Sequence, residues 1–201
     1  MMSKSEFEQE FQDQNQVFVE KDVKNFSLKE RNADLNLIPN STNRPLSDVD
    51  TGVPNYSGAN LSRIDLSDAN LMGAYFNGTD LSHADLQGAN LQDADLRGAN
   101  LSYAKLKGAK LSGALLNYTD LSYADLSHTD LSYANLSCAD LTHANFNKAN
   151  LSNACLFSAN FSDADLNEAN LSHADLSCSN LNLAHIHDTN LSHANLSYGD
   201  L

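Results

Sequence analysis

From Leu61 to Leu201 an apolar residue returns at every fifth place. Of these 29 positions, 25 are Leu, three are Phe (Phe76, Phe146, Phe161) and one is Ile186. Two residues ahead of each stands Ala in 22 cases; the exceptions are Ile64, Thr79, Thr119, Thr129, Ser179, Thr189 and Gly199. Asn or Asp usually fills the place between, as in Ala59-Asn60-Leu61. The phase holds without a slip across 143 residues, and self-similarity of that length takes precedence over local propensity.

A period of five fits neither ordinary element. On an α-helix, at about 100° per residue, successive leucines drift by about 140° and form no stripe. On a straight strand they alternate faces, because five is odd. Both conflicts vanish if the chain bends in the same sense once per quintet. Ala and Leu, two apart, then face one way, and the bends keep that way inward. Asn, Asp, Ser and Gly suit the bends, since they bond locally to backbone or tolerate unusual dihedrals. Gly58, Gly73, Gly78, Gly88, Gly98, Gly108 and Gly113 all sit two residues after a central position. Disorder offers no reason for a buried-type residue at every one of 29 places. The pattern predicts a coil with a filled axis and a polar skin.

Residues 1–58 are different material. Ser5 with Glu8 three residues later has the form of a helix cap, and Phe7, Phe11 and Phe18 share a helical face. A helix is expected over roughly residues 5–22. Pro39, Pro45, Gly52 and Pro54 then mark a linker. The chain therefore divides into a capping helix and linker, 1–58, and a repeat region, 59–201.

The segments ADLQGANLQDADLRGANL (84–101) and ADLSHTDLSYANLSCADL (124–141) resemble the pentapeptide-repeat proteins, with their A-[DN]-L-x-x consensus. The resemblance covers 143 of the 201 residues. It implies an all-β solenoid, a right-handed quadrilateral β-helix with four repeats per 20-residue coil. That makes about seven coils, a rod about 34 Å long at a strand spacing of about 4.8 Å. Open coil ends expose strand edges, so residues 1–58 are the expected N-terminal cap. At the other end Leu191, Leu196 and Leu201 are expected to seat a second copy, tail to tail.

If residue n stacks on n + 20, faces can be read as columns. His83, Tyr103, Tyr123 and His143 form one column, with Tyr118 and Tyr133 on adjoining faces of nearby coils. These six are the candidate partner surface, since Tyr is favoured at interfaces. The plainer reading is a stacking ladder that stabilises the rod. His173 and His193 share another column, near His185 and His187, but Ile186 holds a core position between the last two and turns them apart. No metal-ligand spacing occurs, and no metal or other cofactor is expected. Cys138, Cys155 and Cys178 fit no disulfide framework; Cys138 and Cys178 lie two coils, about 9.6 Å, apart. No nucleophile constellation is present, and the Asp residues occupy the same slot as Asn, so no catalytic residue is assigned.

The net charge is −14, with −4 in residues 1–58 and −10 in 59–201. That disfavours direct contact with nucleic acid or an anionic membrane and favours basic partners. No segment has the length to span a bilayer or the form of a cleaved signal, and a cytoplasmic location is expected. The resemblance brings in a second function, because some pentapeptide-repeat proteins protect DNA gyrase by imitating acidic duplex DNA. Here the repeats carry about one charge per 3.4 Å, against about one per 1.7 Å for DNA. Arg97, Lys105, Lys107 and Lys110 also fall in a stretch, 96–119, with no acid. The leading expectation is a non-enzymatic scaffold for protein partners; a DNA mimic acting on a type II topoisomerase is the alternative.

Overall fold

The structure, a computed structural model, describes residues 53–200. The helix expected over residues 5–22, and the linker before residue 53, lie outside that range.

One isolated parallel β-bridge per quintet joins each residue n to n + 20, from Asn55↔Tyr75 to Asn180↔Asp200. The twenty-residue return supplied by the family resemblance is thus the register of the fold. β-pairing stays at single bridges because a turn intervenes every five residues.

The quintet Leu121–Asp125 shows how the sequence produces this path. Its five amides have five different partners. Leu121 N donates to Asp140 O (2.8 Å) and Tyr123 N to Thr142 O (2.9 Å), both in the next turn of the coil. Asp125 N donates to Ala104 O in the previous one (3.0 Å). Ala124 N closes a β-turn onto Leu121 O (3.1 Å). The fifth, Ser122 N, donates to the Asp120 side chain at 2.9 Å. No amide is left over, which is what burial of a backbone between stacked neighbours demands. The Asn/Asp slot is therefore a turn-capping slot, an Asx turn repeated along the chain.

The third turn residue has positive φ throughout, at 60° for Tyr123 and 64° for Gly98. A left-handed residue at that place is the requirement of a type II turn and explains the glycines. Yet 22 non-glycine residues also adopt it. The lattice of inter-turn hydrogen bonds imposes a conformation that side chains disfavour by about 1–2 kcal/mol each.

Inside, the described central positions from Leu61 to Leu181 are buried, as are the alanines. Where Thr or Ser replaces Ala, its hydroxyl finds a carbonyl: Thr119 Oγ1 donates to Leu116 O and Thr129 Oγ1 to Leu126 O, both at 2.6 Å. The register begins one quintet ahead of Leu61. Asn55 already bridges to Tyr75, and Tyr56 takes a central place, stacked on Phe76 at 4.9 Å. Burial pushes the Tyr56 phenol well above its ordinary pKa.

The far end differs. Ile186, expected in the core, is 46% exposed, and Leu191 and Leu196 are only half-buried. In the described chain no turn of coil stacks beyond them, so an inward-facing residue there has neighbours on one side only. Leu201 lies outside the described residues.

Candidate functional site

Each corner of the coil presents the second and third turn residues to solvent. At one corner the column places His83, Tyr103, Tyr123 and His143 in a continuous stack. Their ring centroids are 4.9, 4.8 and 4.6 Å apart in succession. The planes of Tyr103 and Tyr123 differ by 2°. The spacing equals the distance between paired strands, so the backbone itself sets the ring separation. Tyr103 and Tyr123 are each 49% exposed, with their ring faces against the neighbouring rings.

Acid brackets this ladder. Asp80, Asp120 and Asp140 precede its turns, while Asp85 and Asp125 follow. Asp80, Asp120 and Asp140 each accept one turn-capping bond through Oδ1. Lys105 offsets part of the charge by pairing with Asp85 at 3.7 Å.

Tyr118 and Tyr133 do not join the ladder. They stand on the two corners that bound a different side of the rod, and are 69% and 70% exposed. Neither ring stacks on another among the described residues.

The cationic stretch of residues 96–119 does not act as one band. Arg97 makes a two-pronged bond to Asp95, with Nε–Oδ1 at 2.8 Å and Nη2–Oδ2 at 2.6 Å. The Arg97 hydrogen bonds hold the Asp95 carboxyl below its usual pKa, against the opposing effect of burial. Lys105 is also paired, whereas Lys107 and Lys110 make no ion pair among the described residues.

His173 and His193 stack at 4.8 Å, and His187 Nε2 lies 3.1 Å from Asp188 Oδ2. Among the described residues no three His, Cys, Asp or Glu side chains converge as metal ligands, and Cys138, Cys155 and Cys178 are free thiols. No helix of the described residues is long and apolar enough to cross a membrane.

These features define a class: a repeat solenoid whose surface is written in columns of stacked side chains. The chain belongs to the pentapeptide-repeat family: the family's model, which spans eight copies of the repeat, matches residues 57–88, 79–117, 94–132, 124–163 and 164–198. Among solved structures, two trypsin-treated variants of QnrB1, a plasmid-mediated fluoroquinolone resistance protein, share its fold. One is 23% identical, with 72% of each chain covered and a TM-score of 0.68. The other is 21% identical, covering 74% of this chain and 84% of that one, with a TM-score of 0.65. HetL, a pentapeptide-repeat protein involved in heterocyst differentiation regulation in the cyanobacterium Nostoc, is 30% identical over 73% of this chain and 84% of its own, with a TM-score of 0.30. Among curated proteins none matches this chain in sequence.

Proposed function

We propose that the chain is a non-enzymatic scaffold for protein partners. Its repeats wind as a right-handed quadrilateral β-helix of about seven coils, and the residues ahead of Asn55, where the coil register begins, cap the N-terminal end. The supporting observation is the ladder from His83 to His143: half-exposed rings at a fixed spacing, bracketed by Asp. A ridge of this kind fits a basic protein surface, where aromatic edges and hydroxyls supply contact area and carboxylates supply steering. The half-buried Leu191 and Leu196 extend the reading to tail-to-tail pairing of two copies.

The test is affinity capture with the intact chain and with the Tyr103→Ala/Tyr123→Ala variant. The scaffold reading expects a partner retained by the first and lost by the second, at unchanged circular dichroism. Identical capture by both would remove the ladder from the reading.

A DNA mimic acting on a type II topoisomerase is the second reading, favoured by the Asp columns beside the ladder. The Asp95–Arg97 and Asp85–Lys105 pairs weaken it by neutralising part of the field. A gyrase supercoiling assay separates the two. Inhibition or drug protection at micromolar chain would favour mimicry; no effect would reject it.

A further inference from the structure

Leu115, Asn135 and Cys155 are successive bridge partners and form the centre line of one side of the rod. Across the three turns of coil that they centre, residues 112–118, 132–138 and 152–158 include no charged residue. Asp120, Asp125, Asp130 and Asp140 lie between these segments and Asp163, Asp165 and Glu168 follow them, while the stretch ahead of residue 112 carries Lys105, Lys107 and Lys110. The same side exposes large apolar groups: Leu115 at 38%, Phe157 at 43%, Tyr118 at 69% and Tyr133 at 70%. Cys138 is exposed there and Cys155 half-buried.

Local structure does not account for these choices. Leu115 and Cys155 stand in the turn-capping slot, where Asn135 between them bonds Ser137 N at 3.0 Å. Neither Leu nor Cys caps the following amide in that way. Tyr118 and Tyr133 hold φ of 63° and 60°, a conformation costly for a bulky residue. In the same two columns, one turn of coil below, glycine meets that requirement: Gly98 N bonds Asn117 O, and Gly113 N bonds Ser132 O. Unlike the ladder tyrosines, these two gain no stacking in return. The side therefore gives up turn capping and backbone ease at four places, and what it gains is exposed apolar surface.

We propose that this side is a docking surface for a partner protein segment with an uncharged apolar centre and Lys or Arg at its edges. The proposal rests on the scaffold reading and places a contact on a different side from the ring ladder. An interface needs an apolar centre that desolvates cheaply and a polar rim that sets register. The rim here is acidic. Asp120 and Asp140 follow the turns at Tyr118 and Cys138, Asp130 precedes the turn at Tyr133, and Asp175 is the bridge partner of Cys155. Lys110 opposes them, while Asp95 below is already paired with Arg97. A second copy would bring the same acidic groups against themselves, whereas a basic-edged segment meets opposite charge at Asp120, Asp130, Asp140 and Asp175.

The three free thiols report on occupancy. Cys138 and Cys155 lie within the patch, and Cys178 lies one turn of coil beyond it. Iodoacetamide alkylation of the intact chain, followed by mass spectrometry, is compared with and without a synthetic peptide of Leu and Phe bounded by Lys. The peptide is expected to slow alkylation of Cys138 and Cys155 at least threefold and to leave Cys178 unchanged. Peptides bounded by Glu, or with Ser at the centre, should not protect. A Tyr118→Ser/Phe157→Ser variant with unchanged circular dichroism should lose the protection. The proposal is overturned if the Lys-bounded peptide protects none of the thiols or all three equally. It is overturned too if the variant remains protected, or if protection arises from chain concentration alone, which would make a second copy the occupant. Failure here with capture still dependent on Tyr103 and Tyr123 removes this surface and leaves the scaffold reading standing.

Discussion

Tyr103 and Tyr123, twenty residues apart in sequence, lie face to face with ring centroids 4.8 Å apart and planes 2° from parallel. The pair is a direct consequence of coil length, because only a return of twenty residues brings these two side chains into one column. Stacked rings contribute about 0.5–1.5 kcal/mol beyond the area they bury. Tyr103→Ala should therefore lower stability by about that amount, measured by urea denaturation. Tyr118→Ala removes a ring with no stacking partner and should stay within about 0.5 kcal/mol of the unmutated chain. Equal losses at both positions would mean that stacking adds nothing to the rod.

Position along the axis should govern the cost of opening the core. Leu126 is fully buried, between turns of coil on both sides. Leu126→Ala should cost about 2–5 kcal/mol, as large-to-small changes in closed cores do. Leu191 has the same place in the repeat but is half-buried. Leu191→Ala should cost clearly less, because water already reaches the site and no closed cavity forms. Thermal melting of the two variants checks the ordering; a reversed order would show that the described end is covered in solution.

The contrast also marks what could be read from the pattern of letters. Leu and Ala at fixed offsets carry the inward face, because only inward places forbid charge and, near the axis, bulk. The columns followed once the twenty-residue return was taken from the family, and the ring ladder lies where that arithmetic put it. Ile186 shows the limit, since a repeat position does not say whether another turn of coil covers it. Tyr56 shows another: the repeat starts there without Ala or Leu, after a proline. The uncharged side around Asn135 was not legible along the chain, because its members come from three separated segments. The signal available was Leu115 and Cys155 in slots that mostly hold Asn or Asp.

Gly88 and Gly98 occupy equivalent turn positions, with φ of 67° and 64°. A methyl group added at Gly98 meets nothing within 4 Å, so Gly98→Ala should cost only the backbone strain, about 1 kcal/mol. A methyl group at Gly88 would collide with the Asp68 carboxylate as well. Gly88→Ala should cost more, by whatever is needed to move that side chain. Urea midpoints of the two variants test this. An equal loss at the two positions would show that Asp68 moves aside at no cost.

Asp95 gives the rod a defined response to acid. Its carboxyl is held below its ordinary value, first by the Arg97 side-chain hydrogen bonds, then by the Arg97 backbone bond and charge, with burial opposing. A depressed folded-state pKa stabilises the fold fully at pH above the unfolded-state value, about 3.9. That stabilisation drains as pH falls through the lower, folded-state value. Asp95→Asn keeps an oxygen for the Arg97 amide and removes the charge, so it isolates the ionic part. The variant should be about 0.5–1 kcal/mol less stable at pH 7, a modest figure because Arg97 is half in solvent. The gap should narrow steadily below pH 4. Asp175, whose pKa is lowered chiefly by the Ser177 hydroxyl, gives acid sensitivity common to both chains, so it cancels in the comparison. Urea midpoints from pH 7 to pH 2 decide the matter: a gap that stays constant, or widens in acid, would mean that the Arg97 pair contributes shape to this corner and no charge-dependent stability.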